Sequence, residues 1–164
     1  MAPRIENRLE HKILLFDIEK QIGKLLKVIP KEHLLGLDCI VIVDEIRGKF
    51  GKRPAGTYRR KQGREPAYIE ISARHTFGDL PKVLFMIPLI PKLLLAGTLF
   101  HEIGHHYQYT FKSRIGKKGW EPFAEKYRKQ MFPKLFPVWL FFLRPFNPLI
   151  QFMNKRQEMN NKEA

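Results

Sequence analysis

Two histidines and a glutamate in the stretch LFHEIGHHYQYT (99–110) are the residues best suited to chemistry in this chain. His101, Glu102 and His105 form the pattern HExxH. Successive residues of an α-helix turn by about 100°, so His101 and His105 would lie about 40° apart on one face and could reach one metal ion. Glu102, beside them, could take a proton from a metal-bound water and pass it to a leaving amine. The pattern therefore predicts a catalytic zinc site.

A catalytic zinc ion needs a third protein ligand. His106 would lie about 100° round the helix from His105 and point elsewhere, as a surface histidine or as a group that supports the ligands. Glu121 and Glu125 follow on a second predicted helix, one turn apart and on the same face. A reversal of the chain could lay that face against the HExxH helix. If an acid from this helix is the third ligand, it is one of these two.

HEIGH followed by WEPFAEKY resembles the gluzincin zinc metallopeptidases, in which a helix carrying Glu-x-x-Ala-(Asp/Glu) follows the HExxH helix. It is most similar to the small minigluzincins and to the catalytic core of the HtpX and CAAX-processing membrane peptidases. The resemblance implies a zincin-like fold and one zinc ion held by His101, His105 and Glu121. It also implies that Glu125 is an outer carboxylate that supports a zinc-bound histidine. The expected activity is that of a zinc metalloendopeptidase, with Glu102 as general base and then acid.

The same resemblance implies a strand that runs antiparallel to the bound substrate and precedes the catalytic helix. The stretch YIEISA (68–73) is the natural candidate. An extended peptide or protein substrate would be added to the edge of this strand. The residues expected to bind it are Tyr68, Ile69, Glu70, Ile71 and Ser72.

Two features depart from the family pattern. Pro122 directly follows Glu121, which requires Glu121 to lie at or before the first turn of its helix. An oxyanion stabiliser is not evident from the sequence, and a structural or exposed role is favoured for each candidate. The candidates are His75, Tyr107, Tyr109 and Tyr127.

The hydrophobic pattern predicts the elements that must position the site. Apolar residues recur at mostly helical spacing over 5–29, which predicts an N-terminal helix. LDCIVIVDEI (37–46) is β-branched and predicts a buried strand, and PAYIEISA (66–73) alternates as a half-buried strand does. Between them, 47–64 has eight basic residues and four glycines and predicts a loop or an exposed hairpin.

The two helices that carry the site are predicted over about 91–110 and 120–131, with Pro133 just past the end of the second. A basic linker, 111–119, joins them. Residues 80–92 contain three prolines and predict an irregular segment packed on the core. The predicted fold class is α+β: a small single-domain zincin-like fold with an N-terminal helix, a short mixed sheet, the catalytic HExxH helix and the ligand-bearing helix.

Charge distinguishes this chain from an ordinary small domain. It has 164 residues, with 30 Lys and Arg against 16 Asp and Glu, which gives a net charge of +14. Such an excess favours contact with a polyanion. Cys39 is the single cysteine, so an internal disulfide is excluded and a buried thiol is expected. The first twelve residues are too charged for a signal peptide. A cytoplasmic location, with peripheral contact to a membrane, is expected.

The C-terminal part differs in composition from the rest. The expected division is a metallopeptidase domain over 1–131, an aromatic extension over 132–153 and a polar tail over 154–164. The extension has no charge-free run of 18 residues, so a plain membrane span is not expected. It either completes the core or lies in a membrane interface, with Lys and Arg at the headgroups. An anionic membrane surface is favoured over nucleic acid as the polyanion.

An alternative to the peptidase is a non-catalytic basic module that binds nucleic acid or an anionic membrane. In that case the metal site would be vestigial or absent. Structural zinc sites usually use cysteines and four protein ligands. With one cysteine, distant in sequence from the histidines, a structural zinc site is disfavoured.

Overall fold

A computed structural model shows the fold of most of the chain. Several predicted segments lie outside its described part: most of the linker 111–119, the extension 132–153 beyond residue 135, and the tail 154–164. The described residues are 2–10, 16–48, 53–78, 80–111 and 119–135.

A four-stranded mixed sheet forms one layer of the described structure. Its order is β1-β2-β4-β3, in which β1, β2 and β4 are parallel and β3 is antiparallel to β4. The strands are β1 (Arg4–Asn7), β2 (Leu37–Val43), β3 (Gly56–Arg59) and β4 (Ala67–Ser72).

Five α-helices and one 3-10 helix complete the described part, which is a small α+β fold as predicted. The short ones flank the sheet, and the two long ones carry the predicted site. The helices are α1 (Ile18–Leu26), the 3-10 helix (Lys31–Leu34), α2 (Ala73–Phe77), α3 (Lys82–Phe85), α4 (Leu89–Phe111) and α5 (Trp120–Leu135).

The prediction of one helix over 5–29 was wrong in its first part. Ile5 lies in β1, where it pairs with Ile40 of β2. The helix α1 begins only after Asp17, whose side chain accepts the Lys20 N–H at 2.9 Å and caps the first turn. Four strand residues carry too short a pattern to separate period 2 from period 3.6, and their pairing with a strand over thirty residues away is not visible locally.

The two predicted strands were confirmed, within a few residues, as β2 and β4. Ala67, Ile69 and Ile71 of β4 are buried and Tyr68 is half-buried, which is the predicted alternation. The basic segment 47–64 contains β3, so its second half is one arm of a hairpin.

The long helix α4 lies at the centre of the core. It contacts the sheet through β3 and β4 on one side and α5 on the other. Leu95, Leu99, Phe100 and Ile103 of α4 have no exposed surface. The helix α5 continues two residues beyond Pro133, which was expected just past its end. In the last turn a proline removes little, because few backbone bonds remain to be made there.

None of the helices in the described ranges is both long enough and apolar enough to cross a lipid bilayer.

Candidate metal centre

The helix α4 brings the two histidines of the HExxH pattern together, as their spacing predicts. The Nε2 atoms of His101 and His105 lie 3.1 Å apart. Their rings meet edge to face, with centroids 4.7 Å apart. Both side chains stay partly open to solvent, 26% and 16% exposed, on a helix that is otherwise well buried. Two imidazole nitrogens therefore converge on one accessible point.

Close packing between α4 and α5 brings the third residue to this point. A Cβ added at Gly104 would lie only 2.8 Å from the Cα of Ala124 and 3.2 Å from the Cβ of Tyr127. The two helix backbones thus approach as closely as the absence of a side chain allows. Because Glu121 lies one turn before Ala124, this contact lays its carboxylate against the histidines.

The three groups form a triangle of the size that zinc requires. The Glu121 carboxylate lies 3.2 Å from Nε2 of His101 and 3.5 Å from Nε2 of His105. In a tetrahedral zinc site with bonds of about 2.0–2.1 Å, any two ligand atoms are separated by about 3.3 Å. All three separations fall close to that value. The side chains of His101, His105 and Glu121 therefore fit one zinc ion.

The charges of the cluster suit a cation. Hydrogen bonds from His101 and His105 hold the pKa of Glu121 well below its usual range. Burial works to lower the pKa of His101, but the hydrogen bond with Glu121 and the negative charge of Glu102 outweigh it and raise that pKa. A carboxylate and the protons that it holds on imidazole occupy the same small volume. A divalent cation can replace those protons.

Glu102 lies beside the cluster and beneath β3, with only 7% of its surface exposed. Burial raises the pKa of Glu102, while the two neighbouring imidazoles oppose that rise. The backbone N–H of Tyr58 donates a hydrogen bond to its carboxylate. Gly56 makes room for it, since a Cβ there would lie 2.8 Å from the Glu102 Cγ. The chain thus holds a proton acceptor with a raised pKa next to the triangle, as a general base needs.

The structure contradicts the assignment of β4 as the strand that binds substrate. β4 is an inner strand: Ile69, for example, pairs with Ile40 of β2 on one side and with Tyr58 of β3 on the other. Both of its edges are occupied, so an added peptide cannot pair with it. The predicted residues thus lie in an inner strand of the sheet: Tyr68, Ile69, Glu70, Ile71 and Ser72. Their alternation identified a strand but could not identify its neighbours.

In the described part of the chain, β3 is the edge strand nearest to the catalytic helix. It packs directly on α4, with Gly56 against Thr98 and Glu102. The sequence gave no hydrophobic signal for this strand, since GTYR is four residues long and follows a basic, glycine-rich stretch. Gly56 and the Tyr58 N–H are contributions to the site that sequence reasoning missed.

The structure also gives Glu125 a different partner from the one expected. Its two carboxylate oxygens accept hydrogen bonds from Nε and Nη2 of Arg128 at 2.8 and 2.7 Å, and Lys129 lies 3.3 Å away. Its charge acts on His101, but its hydrogen bonds within the described residues go to Arg128. The predicted hydrogen bond to a ligand histidine is therefore not made. The i,i+3 spacing of Glu125 and Arg128 was a signal in the sequence.

Two further expectations can be compared with the structure. Glu121 is the second residue of α5, as Pro122 required. His106 was expected at the surface or beside the ligands, but it is 1% exposed and its Nε2 lies 3.1 Å from the backbone oxygen of Leu35. Its ring packs edge-on against Tyr58. It faces the core because the helix is covered on that side by the sheet.

The four candidates for an oxyanion stabiliser lie in different places. The hydroxyl of Tyr127 is 2.9 Å from Nδ1 of His33, and His75 lies 3.4 Å from Glu45, so both are engaged elsewhere. Tyr107 stacks within an aromatic cluster, and Tyr109 is 40% exposed.

Comparisons of this chain with protein-family models, with curated proteins and with solved structures found no match.

Proposed function

We propose that this protein is a zinc metallopeptidase of the gluzincin type. The observation that carries the proposal is the triangle formed by His101, His105 and Glu121, with separations of 3.1, 3.2 and 3.5 Å, beside the buried carboxylate of Glu102. Two helices separated by a linker contribute to it. The Gly104–Ala124 contact is the packing that makes it possible.

The chain's own residues supply the rest of the reaction. Zinc, when bound, lowers the pKa of a coordinated water to about 7 and polarises a carbonyl group. Glu102 accepts the proton of the attacking water and returns it to the leaving amine. Its burial makes the proton easier to hold, and the Tyr58 N–H fixes the orientation of the carboxylate. His101, His105 and Glu121 fix the position of the reacting centre.

The substrate is an extended peptide placed along β3. This strand runs beside α4 and lies over Glu102, so a peptide paired with its edge would pass the cluster. The expected β-addition of a substrate is kept, and only the strand changes. An open cluster, with a Glu121 side chain 76% exposed, leaves room for a polymer to enter.

The substitution Glu102→Gln tests the mechanism, because it keeps size and hydrogen bonding but removes the proton acceptor. With fluorescently labelled casein as the substrate, we expect kcat to fall by about 10²–10⁴-fold while the zinc content stays unchanged. Glu125→Gln is the matched control, and it should keep most of the activity because Glu125 is bound to Arg128. Equal activity of Glu102→Gln and wild type would refute the mechanism.

A further inference from the structure

The helix α3 and the turn after it present large apolar side chains to solvent. Val83 is 66% exposed, Met86 78% and Ile87 47%. Their i, i+3 and i+4 spacing places them on one face, which we call the α3 patch. Phe85 faces the other way and packs towards the core, with its ring centroid 6.2 Å from that of Phe77. The outward face of a surface helix is ordinarily polar, so this patch indicates a contact surface.

The α3 patch lies at the opposite end of α4 from the metal cluster. From Leu89, where α4 begins, to His101 the helix rises by about 18 Å. α5 runs antiparallel to α4, with the ring of Phe132 5.9 Å from that of Phe100. The end of α5 at Leu135 therefore lies near the first turns of α4, at the same end of the molecule as the patch.

Sequence features at this end favour a lipid surface. Lys82 and Lys92 flank the patch in the chain, and Lys134 is exposed in the last turn of α5. The 17 residues that follow Leu135, FPVWLFFLRPFNPLIQF, contain five Phe and one Trp. Apolar and aromatic residues flanked by lysines are the composition of segments that enter a membrane interface.

Charge decides between the possible occupants of the patch. The chain carries a net charge of +14, so a second copy would bring like charge to the contact. A membrane with anionic lipids offers both an apolar layer and negative headgroups. A neighbouring cavity, lined in part by Phe16, Phe85 and Pro88, has a volume of about 120 Å³. This is well below the roughly 300–1,000 Å³ of small-molecule sites, so a surface contact fits better than a pocket.

We propose that the α3 patch docks this protein on an anionic membrane surface. The metal cluster then stands away from the bilayer along α4, on the solvent side of the docked end. This proposal does not rest on the proposed peptidase activity, because none of its residues belongs to the cluster.

The test is sedimentation of the full chain with vesicles of phosphatidylcholine alone or with 30% phosphatidylserine. Wild type should bind the anionic vesicles more tightly, and added salt should weaken that binding. The triple substitution V83S/M86S/I87S should lower the partition coefficient at least about tenfold. Leu35→Ser is the matched control: Leu35 is 51% exposed but lies beside His106, towards the other end of α4, and its substitution should leave binding unchanged.

A second measurement separates the other occupants. The variant Met86→Cys, labelled with an environment-sensitive fluorophore, should emit as in water until anionic vesicles are added and then shift to the blue. A blue-shifted emission before vesicles are added would mean that the chain itself, or a second copy, already covers the patch, and it would overturn the proposal. Equal binding of wild type and the triple variant would also overturn it. Unchanged binding of Glu102→Gln would show that docking is independent of catalysis.

Discussion

Glu121 and Glu125 lie on one face of α5, yet they have different partners. Glu121 meets the two histidines, while Glu125 is held by Arg128. The pattern HExxH was enough to predict that His101 and His105 converge. The choice between the two acids depended on the resemblance to gluzincins, and the structure brings Glu121 to the cluster. The pairing of Glu125 could have been predicted from Arg128, three residues later on the same helix.

A buried histidine makes the stability of the fold depend on pH. Burial lowers the pKa of His33, and Nδ1 of its ring lies 2.9 Å from the hydroxyl of Tyr127. The unfolded chain therefore binds a proton below about pH 6.5 that the folded chain binds only at lower pH. Stability contributed by neutral His33 is present above that pH and is lost as the pH falls through it.

We expect acidification from pH 7.5 to 5.5 to reduce the free energy of unfolding more in wild type than in His33→Asn. The measurement is urea denaturation of both proteins, each with a chelator to remove metal effects. All other titrating groups are shared, so their contributions cancel in the comparison. Parallel losses in the two proteins would contradict the assignment.

At the scale of elements, the strong periodic patterns predicted α4, β2 and β4 well. β1 and β3 are four residues each, and their strand character comes from pairing with residues far along the chain. Sheet order could not be predicted for the same reason, so an inner strand was taken for the edge that meets the substrate. The approach of α4 to α5 was also hidden, because a glycine in a helix does not announce the residue it contacts.

Gly104→Ala should loosen the contact between α4 and α5. Its Cβ would meet the Ala124 backbone at 2.8 Å, so one helix must move. Overpacking of this kind costs about 1–3 kcal/mol. We expect lower stability in urea and a zinc affinity reduced by about tenfold or more, measured by competition with a chromogenic chelator.

Gly97→Ala is the matched control on the same helix. A Cβ there meets Arg128 and Phe132 at 3.7 and 3.8 Å, which is ordinary contact. Since alanine favours a helix over glycine by about 0.5–1 kcal/mol, this variant should be as stable as wild type or more stable, with unchanged zinc affinity. If both variants bound zinc as wild type does, the close contact would not be what positions Glu121.

At the scale of the whole molecule, one metal ion would join two helices separated by a linker. A ligand that binds only the folded state stabilises it in proportion to the logarithm of its concentration over Kd, about 4 kcal/mol at 1,000 times Kd. The cluster draws on α4 and α5 together, and those two helices make the largest shared packing surface of the described fold. The whole domain should therefore respond to the metal.

We expect added zinc to raise the thermal midpoint of the chelator-treated protein by several degrees. His101→Ala should abolish most of that rise, while its midpoint without metal stays close to that of wild type, because His101 is partly exposed. The measurement is differential scanning calorimetry over a range of zinc concentrations. An equal rise in both proteins would place the stabilising metal somewhere else.

The most direct test of the central claim is the zinc content of the purified full chain, determined by elemental analysis for wild type, Glu121→Ala and Glu125→Ala. The three-residue site predicts about one zinc per wild-type chain, loss of most of it in Glu121→Ala and near-complete retention in Glu125→Ala, since Glu125 is bound to Arg128. A wild-type protein without zinc after growth and purification with added zinc, or a Glu121→Ala variant that keeps it, would contradict the metal centre.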